Sequence, residues 1–324
     1  MSAETSPVGY AVGSFLREPR AAVRSTGAAI TALSLRWIGR RSALRLRCMN
    51  PALRALRPYP MAELQERKAA LRAAGVPLYD FGTGDPIEPT ATGIRQALID
   101  AVPAVSQYPT VRGPEEFRQA VADYLQRRFA VAIDSAAILP SAGSKEAIFH
   151  LPLACIDPAS GKDGVIYGTP GYPVYQAGTL FAHGQPQPIT LTAEQGFRLE
   201  LAELPTATLQ RAAICWLNYP HNPTGACVDL DYYERQWRIC RDHDIVLASD
   251  ECYVDLWFDE QASPPVSLLQ VASEGVLVFG SCSKRSGMTG YRSGFIAGDA
   301  ALVADYRRWR AAMGVGSPAF VTAA

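Results

Sequence analysis

Short apolar runs, each ending in small or polar residues, set the pattern of this chain. Ala212–Leu217, Ile245–Ser249 and Val276–Phe279 read as buried strands, and Gly294–Gly298 starts another. After the first run comes Asn218-Tyr219-Pro220-His221-Asn222-Pro223-Thr224-Gly225, a turn-forming stretch that gives way to a helical pattern through Trp237. Strand, helix, strand and strand in this order predict a parallel sheet with crossover helices. The carboxyl ends of such strands open on one edge, where ligands bind.

The polar residues at those ends carry chemistry. Val276–Phe279 runs into Gly280-Ser281-Cys282-Ser283-Lys284-Arg285-Ser286-Gly287-Met288-Thr289-Gly290-Tyr291-Arg292-Ser293-Gly294, which places Lys284 where a strand opens. A lysine there can condense with an aldehyde cofactor, while Ser281 and the fork of Arg292 suit an anion such as phosphate. Ile245–Ser249 ends at Asp250-Glu251-Cys252-Tyr253. Asp250, Tyr253, Asn222 and Lys284 are therefore expected to converge, and their types match the needs of pyridoxal 5'-phosphate. A carboxylate, Asp250, keeps the pyridine nitrogen protonated so that the ring accepts electrons. The amide of Asn222 and the phenol of Tyr253 can hydrogen-bond the ring oxygen. Lys284 would hold the cofactor and then act as general base.

With these residues, the chain resembles a class I/II aminotransferase, the fold type I family of pyridoxal-phosphate enzymes, from about residue 49 to 324. The resemblance implies a three-layer α/β/α large domain with a mainly parallel sheet, as in aspartate aminotransferases. It places the cofactor's lysine at Lys284, its pyridinium carboxylate at Asp250, and its ring-oxygen partners at Asn222 and Tyr253. The phosphate falls to Ser281, Arg292 and the turn Gly143-Ser144-Lys145. That turn also makes sense by itself, since amides at a glycine-containing helix start cradle phosphate. Tyr172, in Thr169-Pro170-Gly171-Tyr172-Pro173, falls where the family stacks an aromatic ring on the cofactor. Tyr108 resembles the tyrosine that reaches the neighbouring subunit's phosphate, which implies a homodimer. Gly84 resembles the glycine that lets the substrate carboxylate approach the backbone, beside Asn222. A narrower similarity begins at Met49-Asn50-Pro51-Ala52-Leu53 and includes Ser283-Lys284-Arg285-Ser286; it points to succinyldiaminopimelate transaminases of lysine biosynthesis.

The resemblance implies transfer of an amino group from an amino acid, with glutamate as donor, to a 2-oxo acid such as N-succinyl-2-amino-6-oxopimelate, in the cytoplasm. A β-lyase or decarboxylase shares the same lysine, aspartate and arginine. A non-catalytic sensor or fragment is a third class, although no helix-turn-helix pattern precedes Met49. Composition fits a core-forming domain: 48% of residues are hydrophobic, and the formal net charge of zero gives no general attraction to nucleic acid. No apolar run is long enough to cross a membrane. The seven cysteines form no C-x-x-C pair, with Cys215 and Cys252 expected as buried thiols, and the four histidines lack metal-ligand spacing. His221, inside the cofactor turn, reads as a turn-filling side chain.

The ends are of different material. Residues 1–48 carry eight arginines against Glu4 and Glu18, a charge of +6 that leaves −6 for residues 49–324. Three readings compete for this leader: a start codon placed too early with Met49 as first residue, an organelle transit peptide, and a basic arm. The expected division is then a leader over 1–48, an N-terminal arm and small-domain segment over 49–82, a large cofactor-binding domain over 83–308, and the start of an interdomain helix over 309–324. The chain would end before the small domain whose arginine binds the substrate carboxylate in the resembled family.

Overall fold

The computed structural model describes residues 50–324 apart from 57–59, 81, 83, 260, 314 and 315, so the basic leader lies outside the described residues. Arg54–Ala324 forms one compact unit. Its centre is a sheet of β1 (Ile138–Ser141), β2 (Gly164–Thr169), β3 (Gln185–Thr190), β4 (Ala212–Leu217), β5 (Val246–Asp250), β6 (Val276–Ser281) and β7 (Gly294–Gly298). The strands lie in the order β1-β7-β6-β5-β4-β2-β3. The run from β3 to β6 is parallel, while β7 is antiparallel to both β6 and β1.

Every residue of β4 and β6 is buried, as expected when helices cover both faces of a parallel sheet. Alternate side chains feed two separate cores. Cys215, Leu217, Val276 and Val278 face one, completed by α1 (Glu115–Phe129) and, later in the chain, by the helix Leu230–Asp242. Ile214, Trp216, Leu277 and Phe279 face the other, which is closed by α2 (Ser144–Cys155), α3 (Val174–Phe181) and the helix Ala300–Ala311. With Leu230–Asp242 as α4, its burial of Tyr232, Tyr233, Gln236 and Cys240 follows helical spacing, and Asp229 caps its start by accepting from the Tyr232 N–H. The result is the expected three-layer α/β/α fold. Among the described residues no helix is long and apolar enough to cross a membrane.

One local reading differs from the sequence expectation. The lysine segment is not an open loop where it leaves β6, because Cys282–Arg285 winds into a single helical turn, α5, capped by Ser281, whose hydroxyl accepts from the Ser283 N–H at 3.2 Å. Serine at that position offers the unpaired amides a partner, which a reading based on small residues alone does not weigh.

Candidate active site

The carboxyl ends of β4, β5 and β6 and the start of α2 surround a cleft of about 520 Å³. It is lined by Ser144, Lys145, Tyr172, Asn222, Asp250, Tyr253, Ser281, Lys284 and Arg292, so the structure brings together nine of the residues expected from sequence. Gly143 stands beside it as the residue before α2, with φ +78°. A Cβ there would lie 2.5 Å from Nη2 of Arg292, so only glycine lets the guanidinium rest on the cradle. Arg292 also donates from Nη2 to the Ala142 carbonyl at 3.2 Å and from Nη1 to that of Thr289 at 2.9 Å. Behind the cradle, Glu146 accepts from the Ala142 N–H and from buried Arg310, both at 3.2 Å. Gly84 reaches the site through its carbonyl, which accepts from Lys284 Nζ at 2.5 Å. Tyr108 is not brought in: it is 100% exposed.

At the cleft floor Asp250 is 4% exposed, and burial pushes its carboxyl above the usual range. Hydrogen bonds from the Cys252 thiol and from Tyr175 oppose that shift. The Tyr175 hydroxyl donates to Asp250 Oδ2 at 2.9 Å, and the Cys252 N–H reaches Oδ1 at 3.4 Å. Burial, seconded by Cys252 and Asp250, pushes the Tyr253 phenol up to about 12, so it is protonated and able to donate across the physiological range. Asn218 connects the ends of β4 and β5, donating to the Asp250 carbonyl at 2.8 Å and accepting from the Asn222 N–H at 3.0 Å.

Several of these residues escape sequence reasoning. Tyr175 stands three positions after Tyr172 and stacks on Trp216 at 5.0 Å and 18°, and the only signal for it was a second tyrosine one helical turn beyond the first. Cys252 is corrected from a plainly buried thiol to a partly exposed lining residue whose sulfur lies 2.9 Å from Ser144 Oγ. His221 does fill its turn: it is buried, its Nδ1 lies 2.8 Å from Thr224 Oγ1, and it contacts the backbone of Pro170.

The site fits a planar ring with a protonatable nitrogen at one end and a phosphate at the other. A buried carboxylate held only by a tyrosine, a thiol and an amide is stabilised further by a cationic ring nitrogen. A helix start, a serine and an arginine meet at the opposite end. Between them stands the lysine amine, with an exposed aspartate, Asp85, 3.6 Å from it.

Comparison with known proteins agrees with this geometry. Residues 76–324 match the family model described as aminotransferase class I and II. The chain is 41% identical over 257 residues to an LL-diaminopimelate aminotransferase of Nitratidesulfovibrio vulgaris, and 37% identical over 255 residues to one of Aquifex aeolicus. Each match covers 78% of this chain and 65% of the relative, so the chain spans less than two thirds of the length of these relatives. Among solved structures, an aminotransferase from Neisseria meningitidis is similar with a TM-score of 0.78 and 31% identity, covering 85% of this chain and 72% of that one. A Thermus thermophilus aspartate aminotransferase mutant has a TM-score of 0.78 at 25% identity, covering 85% and 71%.

Proposed function

The chain belongs to the class I and II aminotransferases, a family that works with pyridoxal 5'-phosphate, and from that premise we propose that it transfers amino groups between an amino acid and a 2-oxo acid. The observation that carries this reading is the convergence of Lys284, Asp250 and Arg292 on one cleft. When bound, the cofactor supplies an aldehyde carbon that accepts the amino group and a ring that takes up the electron pair left at the substrate's α-carbon. Lys284 would hold the cofactor's aldehyde, and its amine would serve as the base that moves the proton at the α-carbon. Asp250 keeps the ring nitrogen protonated, and Tyr175 and Cys252 keep Asp250 in place. Tyr253 and Asn222 would donate to the cofactor's ring oxygen, Gly143, Ser144, Lys145, Ser281 and Arg292 would hold its phosphate, and Tyr172 would cover its ring. The substrate carboxylate approaches Gly84 and Asn222.

For substrate, the named relatives support the diaminopimelate class, a seven-carbon diamino dicarboxylic acid, and we add to it glutamate as the partner in transfer and lysine biosynthesis as the setting. The similarity at Met49–Leu53 favours the N-succinylated form of that substrate as the second reading. A homodimer goes with this reading. Tyr108 is fully exposed, and a second cleft of about 700 Å³ shares Lys145, Tyr172 and Arg292 with the first, which gives Tyr108 of a second copy a route to the phosphate. The division at residues 82 and 308 and a cytoplasmic setting are part of the same proposal. Borohydride reduction of protein loaded with pyridoxal phosphate tests the assignment. The pyridoxyl label should map to Lys284, and a label on Lys145 instead would refute it.

A further inference from the structure

Directly behind the cleft, one carboxylate gathers side chains from two helices distant from it in sequence. Asp255 lies on the segment leaving β5, two residues after Tyr253. Its Oδ2 accepts from the Tyr124 hydroxyl at 2.9 Å and forms an ion pair with Arg285, whose Nε lies 3.0 Å away, and its Oδ1 accepts from Arg128 Nε at 3.1 Å. Tyr124 and Arg128 stand on α1, whereas Arg285 follows Lys284 on α5. Arg128 also donates from Nη2 to the carbonyls of Val254 at 3.2 Å and Pro265 at 3.1 Å. Its guanidinium lies 4.6 Å from the Phe129 ring and 4.8 Å from the Trp257 ring, while that of Arg285 lies 4.3 Å from Tyr124. Asp255 is 15% exposed and Arg128 17%, so solvent weakens their contact less than it would a surface pair, whereas the Arg285 side chain is 36% exposed and its ion pair is more strongly screened.

The geometry matters because α5 is one turn long. Successive residues of a helix project about 100° apart, so Lys284 can face the cleft only while Arg285 faces away from it. The structure separates the two in this way: Lys284 lines the cofactor cleft, and Arg285 lines a small pocket on the other side, with Tyr124 and Asp255. A single turn has too few internal hydrogen bonds to fix its own rotation. Arg285 is held by its ion pair with Asp255 and by the face of the Tyr124 ring, and the two together restrict where its guanidinium can sit.

We propose that Asp255 and Arg285 are positioning residues: their contact, braced on α1 by Arg128 and Tyr124, sets the rotation of α5 and thereby aims the Lys284 amine at the cofactor's aldehyde. The proposal rests on the reading of Lys284 as the cofactor's lysine and adds to it a device outside the cleft. Arg285 touches neither cofactor nor substrate and acts only through its neighbour.

The test uses the full chain, stripped of cofactor and then mixed with pyridoxal phosphate. Borohydride labelling of the unmutated protein at Lys284 checks the underlying reading, and absence of that label overturns both. Asp255→Asn keeps the shape of the side chain, and Arg285→Lys keeps the charge but loses the planar fork. Each should still be labelled at Lys284 but capture cofactor more slowly, by up to about a hundredfold, the size of effect that displacing a reacting group by about 1 Å can have. Each should also move the pH midpoint of the loaded protein's absorbance change, which a purely structural brace would leave in place. Should Asp255→Asn fail to fold by circular dichroism, Arg285→Lys decides alone. A capture rate within about twofold of the unmutated protein together with an unmoved pH midpoint in Arg285→Lys would overturn the proposal, since that variant removes the Nε contact and the guanidinium on the Tyr124 ring while sparing the charge.

Discussion

Replacing Glu251 by glutamine should make the protein more stable in alkali and leave it unchanged in acid. Glu251 is the residue after Asp250, so its side chain falls on the other side of the sheet and away from the cofactor cleft. There it is buried, and its Oε1 accepts from Ser249 Oγ at 3.0 Å and from the Leu268 N–H at 2.9 Å. Burial is the largest influence on its carboxyl and raises it from 4.5 to about 7; the hydrogen bonds of Leu268, Ser267 and Ser249 pull the other way, and Asp250 adds to the rise. A group raised in the folded state favours folding below its unfolded value and loses that advantage as pH climbs through the folded value. The window is therefore about pH 4.5 to 7, and its full height, at about 1.4 kcal/mol per pH unit, is about 3 kcal/mol. Glutamine keeps an oxygen for Ser249 and Leu268 and cannot ionise. Urea unfolding of both proteins at pH 4, 6 and 8 measures the difference directly. Asp250, raised in the same direction, is present in both and cancels. A wild-type-minus-variant difference that stays flat from pH 4 to 8, or that favours glutamate at pH 8, would show the reasoning to be wrong.

Other substitutions probe the cleft. Asp250→Asn should retain cofactor but slow turnover by several orders of magnitude, since a neutral amide cannot hold the ring-nitrogen proton; near-normal kcat would contradict its role. Tyr175→Phe removes the hydroxyl on Asp250 while keeping the stack on Trp216, and should weaken cofactor binding about tenfold, the lower end for a hydrogen bond to a charged group. An unchanged Kd by fluorescence titration would remove Tyr175 from the site. Gly143→Ala puts a methyl group 2.5 Å from Arg292 Nη2 at a φ of +78°, and should cost at least tenfold in affinity for pyridoxal phosphate with the far-ultraviolet circular dichroism intact. Equal affinity would show that Arg292 does not rest on the cradle.

The central strands were legible because their signal is local: an uninterrupted apolar run between turn residues has few readings, and β4, β5 and β6 fall within a residue or two of the runs that predicted them. Lys284, Asp250, Asn222 and Arg292 were legible because they stand at the ends of those runs or in the loop between two of them. What escaped was set by contacts between distant segments. Tyr175 matters only because α3 lies over the end of β5, and Asp255 only because α1 approaches from more than a hundred residues earlier. No spacing rule brings Tyr124, Arg128 and Arg285 to one carboxylate. The direction of β7 was equally hidden, since a strand's apolar pattern is the same whichever way it runs.

The antiparallel return of β7 has its own consequence for how a ligand leaves. Ser281 and Gly294 are paired neighbours across β6 and β7, so the segment 282–293, which carries both Lys284 and Arg292, has its two feet on adjacent strands of the sheet. A molecule gripped by the lysine at one end and by the arginine at the other is tethered to a single closed staple. Release of one grip leaves the loosened end confined near its partner, where the effective concentration is in the millimolar range typical of short tethers, and recapture outruns escape. Escape then requires both grips to open together, so its rate falls roughly as the product of two small opening probabilities. The resulting residence time is longer than either contact alone could provide.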